Sequence, residues 1–161
     1  MFLDRRRARR AGESMETPTT HAHDFSDVDR ATDPAQLVRY LDTAIARSSM
    51  QFFEQRIVER LGLRSGGKYL DVGCGTGDDV RAMAQQVGTD GWIVGVDSSE
   101  TMIAEARRRS EGVSLPIEFR LGRAEQLEFA DATFDGSRQC CWLQLLQLKC
   151  FPVVQAACTR I

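Results

Sequence analysis

Tyr69-Leu70-Asp71-Val72-Gly73-Cys74-Gly75-Thr76-Gly77 decides the fold. A short apolar strand, Lys68 to Val72, runs into three glycines at alternate positions, and Asp78 to Val87 then reads as a helix. A loop without Cβ atoms turns tightly and lets a ligand press on its backbone, beside the free amides of a helix N-terminus. An isolated glycine triplet would serve equally as a packing-driven turn. Asp71 shifts that balance: it stands two residues before the first glycine, at the carboxyl end of the strand, where it answers a cationic or ammonium-bearing ligand and repels a phosphate. The dinucleotide-binding pattern GxGxxG would need its third glycine at Asp78. No Lys-Ser or Lys-Thr pair follows the loop, so a triphosphate site has no support either.

Downstream, Trp92 to Val96 makes a second strand that ends at Asp97. An acid there can accept hydrogen bonds from both hydroxyls of a ribose lying across the strand tips. The competing role is a capping aspartate before Ser98-Ser99. Ser99 caps a helix running to about Arg109, with Met102, Ile103 and Ala106 on its inner face. Ile117 to Leu121 is a third strand and Phe134 to about Cys140 a fourth.

Upstream, Asp33-Pro34 opens a helix whose apolar face is Leu37, Tyr40, Leu41, Ala44 and Ile45. A second helix carries Phe52, Phe53, Ile57, Val58 and Leu61 and closes at Gly62. Strands alternating with helices predict a parallel sheet with helices on both faces. Residues 1–32 lack an apolar period and are expected to be a flexible segment.

Tyr69 to Gly77, Gly95-Val-Asp-Ser-Ser-Glu-Thr-Met102 and Gly122-Arg-Ala-Glu-Gln-Leu-Glu-Phe129 resemble, in order and spacing, the first three motifs of class I S-adenosylmethionine-dependent methyltransferases. The resemblance is to the ubiquinone/menaquinone-methyltransferase-like group and covers about Asp33 to Arg138. It implies a Rossmann-like, three-layer α/β/α fold, here with an incomplete parallel sheet of about four strands behind two N-terminal helices. The cofactor implied is S-adenosylmethionine. By the same resemblance Asp71, Gly73 and Gly75, with Cys74 and Gly77 of the same loop, border its methionine part, and Asp97 holds the ribose. Ser98 and Met102 lie near the adenine, and Ala124, through its amide, and Glu125 meet the adenine edge. Family members often carry an acid where this chain has Arg123. Tyr40 is placed to close over the site. Catalysis implied by the resemblance is in-line positioning of a small-molecule acceptor, and no catalytic base is identified.

The pattern breaks after Arg138. Gln139 to Ile161 contains no acidic residue and holds four of the chain's five cysteines. Residues 139–161 are therefore read as an atypical tail, truncated or frame-shifted, with an apolar helix from about Trp142 to Lys149 as the alternative. About four strands where the family has seven leave one sheet edge uncovered, which predicts self-association. A remnant that binds the cofactor without turnover is the competing functional expectation.

Bulk properties restrict the remaining classes. The chain's 161 residues fit one domain of roughly 100 to 200. A net charge of -2 gives no general attraction to nucleic acid, and the cluster Arg5 to Arg10 reads as a solvated tail. No nucleic-acid partner, no membrane span and a cytoplasmic location are expected. The only histidines, His21 and His23, precede every cysteine, and the cysteines lack CxxC spacing, so neither a zinc site nor a cysteine-histidine nucleophile is expected.

Overall fold

The computed structural model describes residues 25–45, 59, 61–139 and 151–158. Four short strands form one parallel sheet: β1 (Lys68–Val72), β2 (Trp92–Asp97), β3 (Ile117–Leu121) and β4 (Gly136–Gln139). Their spatial order is β3-β2-β1-β4, with Tyr69 opposite Ile93 on one side and Gly136 on the other. The chain steps outward from β1 to β3 and then crosses back past β1 to β4. Such a reversal opens a crevice at the carboxyl ends of the central strands, where ligands of open α/β sheets bind. The glycine loop leaves β1 at this point.

The described helices are α1 (Pro34–Ile45), α2 (Asp78–Val87), α3 (Glu100–Arg109) and α4 (Phe151–Ala156). Side chains alternate across a strand, so a strand buried on both sides needs apolar residues in both registers. Tyr69, Ile93 and Phe119 face α2 and α3, where they meet Val80, Met83, Val87, Ile103 and Ala106. Leu70, Val72, Val94 and Val96 face the other way, onto Ala124, Phe134, Val154 and Ala157. α4 is thus part of the second face. The Phe134 amide donates to the Ala157 carbonyl at 3.0 Å and the Ala132 amide to that of Ala156 at 2.9 Å. Residues 156–158 therefore lie beside the approach to β4, where Phe134 also bridges Cys158 in parallel.

Several expected spans are observed as read, namely Lys68–Val72, Asp78–Val87 and Ile117–Leu121. Asp33 accepts the Gln36 amide at the start of α1, and Gly62, at φ +58°, sits in the left-handed region expected of a helix-closing glycine. β4 begins at Gly136 rather than Phe134, whose amide is engaged by Ala157. The structured chain also begins before Asp33. Phe25–Arg30 forms a 3-10 helix kinked at Asp27, anchored by buried Val28 against Leu37 and Met102. Of the expected second helix, residues 52–58 lie outside the described residues, and so does the Trp142 to Lys149 segment; Glu59 is helical. No helix among the described residues is long and apolar enough to cross a membrane.

Candidate functional site

The glycine loop is tied to β2 before it turns. The amides of Gly73 and Cys74 donate to the Val96 carbonyl at 2.8 and 3.1 Å, and the Gly77 amide closes a turn onto Cys74 O at 2.9 Å. The residues then divide between two sides. Cys74 is buried in the core shared with Val80, Ile93 and Phe119, and burial, first of several causes, pushes its thiol well above the usual range. Gly77, at φ +78°, caps α2, and a Cβ there would lie 2.6 Å from the Phe119 ring. Gly75, at φ +52°, is half-exposed, and a Cβ there would meet only Leu41 of α1, at an ordinary 3.5 Å. Gly73, at φ +76°, is half-exposed as well.

Asp97 holds this rim in place. Its Oδ2 accepts the Gly75 amide at 2.9 Å and its Oδ1 accepts the Ser99 amide at 3.0 Å, so one carboxylate joins the glycine loop to the start of α3. A carboxylate has about four acceptor sites, and the amides of Gly75, Ser99 and Ser98 take at most three. Desolvation raises the Asp97 pKa, and the amides of Ser99, Gly75 and Ser98 oppose that rise. The two roles weighed for this residue are therefore compatible: it caps the Ser98-Ser99 turn and keeps acceptor capacity toward the crevice.

Asp71 is enclosed. Its side chain is 0% exposed, and Arg138 of β4, 8% exposed, lies 3.2 and 3.3 Å from its two oxygens. The same guanidinium nitrogen pairs with Asp79 in the first turn of α2. Asp71 is thus enclosed beneath the loop. Asp78 and Asp79 together place two carboxylates at the N-terminus of α2, where the helix dipole favours them. Arg81 and Thr76 bind Asp78, at 2.6 Å each. That end of the helix is already supplied with negative charge, which disfavours a phosphate and suits a cation.

The remaining predicted positions distribute around this frame. Ser98 is exposed and lines a cleft of about 340 Å³ together with Asp29, Arg30, Ser99 and Arg123. Glu125 is half-buried and pairs with Arg123 at 3.6 Å, while the Ala124 side chain lies in the second-face core. The Met102 side chain is closed under Val28 and Leu37. Tyr40 packs on Phe25, with ring centroids 6.1 Å apart.

Two residues escaped the sequence reading. Asp29 accepts the Ser99 hydroxyl and the Glu100 and Thr101 amides at 2.7, 2.7 and 3.0 Å, tying the N-terminal segment to α3. Burial opposes its ionisation, but these hydrogen bonds win and lower its pKa to about 2. Nothing local marks it, because its partners lie about seventy residues on. Arg138 did carry a signal: a cation in a strand neighbouring β1 must find a buried acid, and Asp71 was the acid there.

A family model described as a methyltransferase domain matches residues 70–161. This chain belongs to the class I S-adenosylmethionine-dependent methyltransferases. It is 37% identical over 98 residues to a demethylmenaquinone methyltransferase from Symbiobacterium thermophilum, covering 60% of this chain and 39% of that protein. An uncharacterized 37.1 kDa protein in a transposon of Streptomyces fradiae is 34% identical over 101 residues, 63% of this chain and 29% of its own length. The chain therefore spans less than half of each of these relatives. Among solved structures, a methyltransferase from Aquifex aeolicus superposes with a TM-score of 0.60 at 20% identity, over 84% of this chain and 67% of that one. That likeness concerns the fold, and it carries the methyltransferase topology across most of the described chain.

Proposed function

We propose that this domain binds S-adenosylmethionine across the carboxyl ends of β1 and β2 and supports methyl transfer to a small-molecule acceptor. One observation carries the reading: the Asp97 carboxylate clamps Gly75 and Ser99 while retaining acceptor capacity beside a half-exposed glycine rim. The residues fit the cofactor. Gly73 and Gly75 leave a rim without side chains for its methionine part, Asp97 accepts from ribose hydroxyls, and Ser98, the Ala124 amide and Glu125 border the base. Gly77 and Cys74 build the loop from within.

When bound, the cofactor supplies a methyl group already activated on a sulfonium. The protein's task is then to orient the acceptor and exclude water, which fits a site made of backbone, carboxylates and few nucleophiles. Cys74 is excluded as a nucleophile by its burial and its raised pKa.

A second reading is a domain that binds the cofactor without turnover. It is favoured by the chain beside β4: residues 156–158 occupy the approach to that strand, where an acceptor-binding half of the sheet would otherwise start. Among the described strands β4 pairs with β1 alone, and such an edge supports self-association as a property of this domain. Incubation with methyl-labelled S-adenosylmethionine and a panel of phenolic, quinol and amine acceptors separates the two. Labelled product supports the first reading; saturable cofactor binding with no labelled product from any acceptor supports the second.

A further inference from the structure

Asp71 and Arg138 lie directly opposite each other on the neighbouring parallel strands β1 and β4, and both are buried. Arg138 Nη1 is within 3.3 Å of both Asp71 oxygens and also pairs with Asp79 Oδ2. One cation thus faces two carboxylates, leaving a net negative charge under the glycine loop. An apolar pair of similar volume would fill the same space without the desolvation cost of buried ions. This arrangement has a use beyond stability only if the charge of Asp71 matters to something above it.

We propose that Arg138 is a positioning residue that, balanced against Asp79, sets the ionisation of Asp71 and thereby the attraction that the glycine loop exerts on a cationic ligand. The inference rests on the cofactor reading, since the ligand above the loop carries an ammonium and a sulfonium. The groups facing Asp71 are Arg138 from β4, Asp79 from α2, Asp97 from β2 and the Cys74 thiol from the loop. Burial raises the Asp71 pKa, Arg138 lowers it, and Asp79 and Asp97 raise it. The two variants must therefore act in opposite directions. Arg138→Met removes the cation that favours the charged form, so Asp71 takes up a proton at higher pH and cofactor affinity falls at neutral pH. Asp79→Asn removes a repelling acid that also competes for the guanidinium, so Asp71 stays ionised to lower pH.

The test follows the Asp71 carboxyl carbon by NMR across pH in the ligand-free full chain, alongside the pH dependence of S-adenosylmethionine affinity. The expected result is an inflection moved up in Arg138→Met, with binding at pH 7 weakening about twofold when the inflection reaches 7 and by about tenfold for each pH step of one well beyond it. In Asp79→Asn the inflection moves down, and Arg138→Lys restores most of the wild-type position. A general loss of structure would shift both variants alike. Inflections that stay put or move together overturn the proposal, as does an affinity profile that fails to follow the carboxyl signal. Should Arg138→Met not fold, Asp79→Asn decides alone: an Asp71 inflection that fails to move down in that variant overturns the proposal. A folded wild type that binds no cofactor instead overturns the underlying cofactor reading, and the NMR inflections tell the two failures apart.

Discussion

Gly75 and Gly77 lie two residues apart, both with left-handed φ, and the structure requires them for different reasons. Gly77 faces inward, where the Phe119 ring and the Ala106 methyl leave no room for a Cβ. Gly75 faces the rim, with ordinary contact to Leu41 and its amide held by Asp97. The acids repeat the division. Asp71 is sealed inside against a guanidinium, whereas half-exposed Asp97 is held by backbone amides. The inner wall of the loop is thus a packing device, and the outer rim is the part left for a ligand.

Substitutions on the two sides test that division. Gly77→Ala should have the largest effect on stability: a left-handed alanine and a Cβ pressed into Phe119 together cost about 3 kcal/mol. Thermal unfolding should register this as a fall of roughly 10 °C. Gly75→Ala meets only the backbone penalty, about 1 kcal/mol in the same melt. It should nevertheless weaken S-adenosylmethionine on the order of tenfold, because the added methyl stands on the rim. Equal stability losses for the two variants would break the distinction between wall and rim.

Asp29→Ala probes the strap across the other side of the rim and should show the smallest effect. Loss of a helix-capping carboxylate costs about 1 kcal/mol, less where salt screens an exposed group. The sign with pH is specific. The Asp29 pKa is lowered in the folded protein from 3.8 to about 2, so its contribution is complete above about pH 4 and disappears as pH falls toward 2. Wild type and variant should therefore melt apart at pH 6 and converge near pH 2. No gap at pH 6 would assign the strap's hold to Val28 and Leu37 alone, and a gap that persists at pH 2 would show that the ionised carboxylate is not its source.

Most of this frame is legible in the sequence because its signals are local. The glycine spacing, the apolar strands on either side, the Ser99 cap and the Asp33 cap each lie within a few residues of what they organise. The parallel direction of the strands follows from their alternation with helices, but the place of β4 on the far side of β1 does not. The long-range partnerships are another matter. Arg138 is 67 residues from Asp71, and Asp29 is 70 from Ser99, so neither pair belongs to any one motif. Val28 buries one apolar side chain in a short kinked turn, too little to register as a periodic face. Met102 illustrates the converse: its motif position suggests a ligand, but its helix turns the side chain toward Val28 and Leu37.

A cofactor held on the rim through Asp97 is what every other reading of this site depends on. Calorimetric titration of the purified chain with S-adenosylmethionine and its demethylated product, beside Asp97→Ala, tests it most directly. Two charge-assisted hydrogen bonds to ribose hydroxyls are worth about 3 kcal/mol, so the variant should bind on the order of a hundredfold more weakly or not measurably. Wild-type binding that survives the substitution unchanged, or a folded wild type that binds neither ligand, would contradict the account.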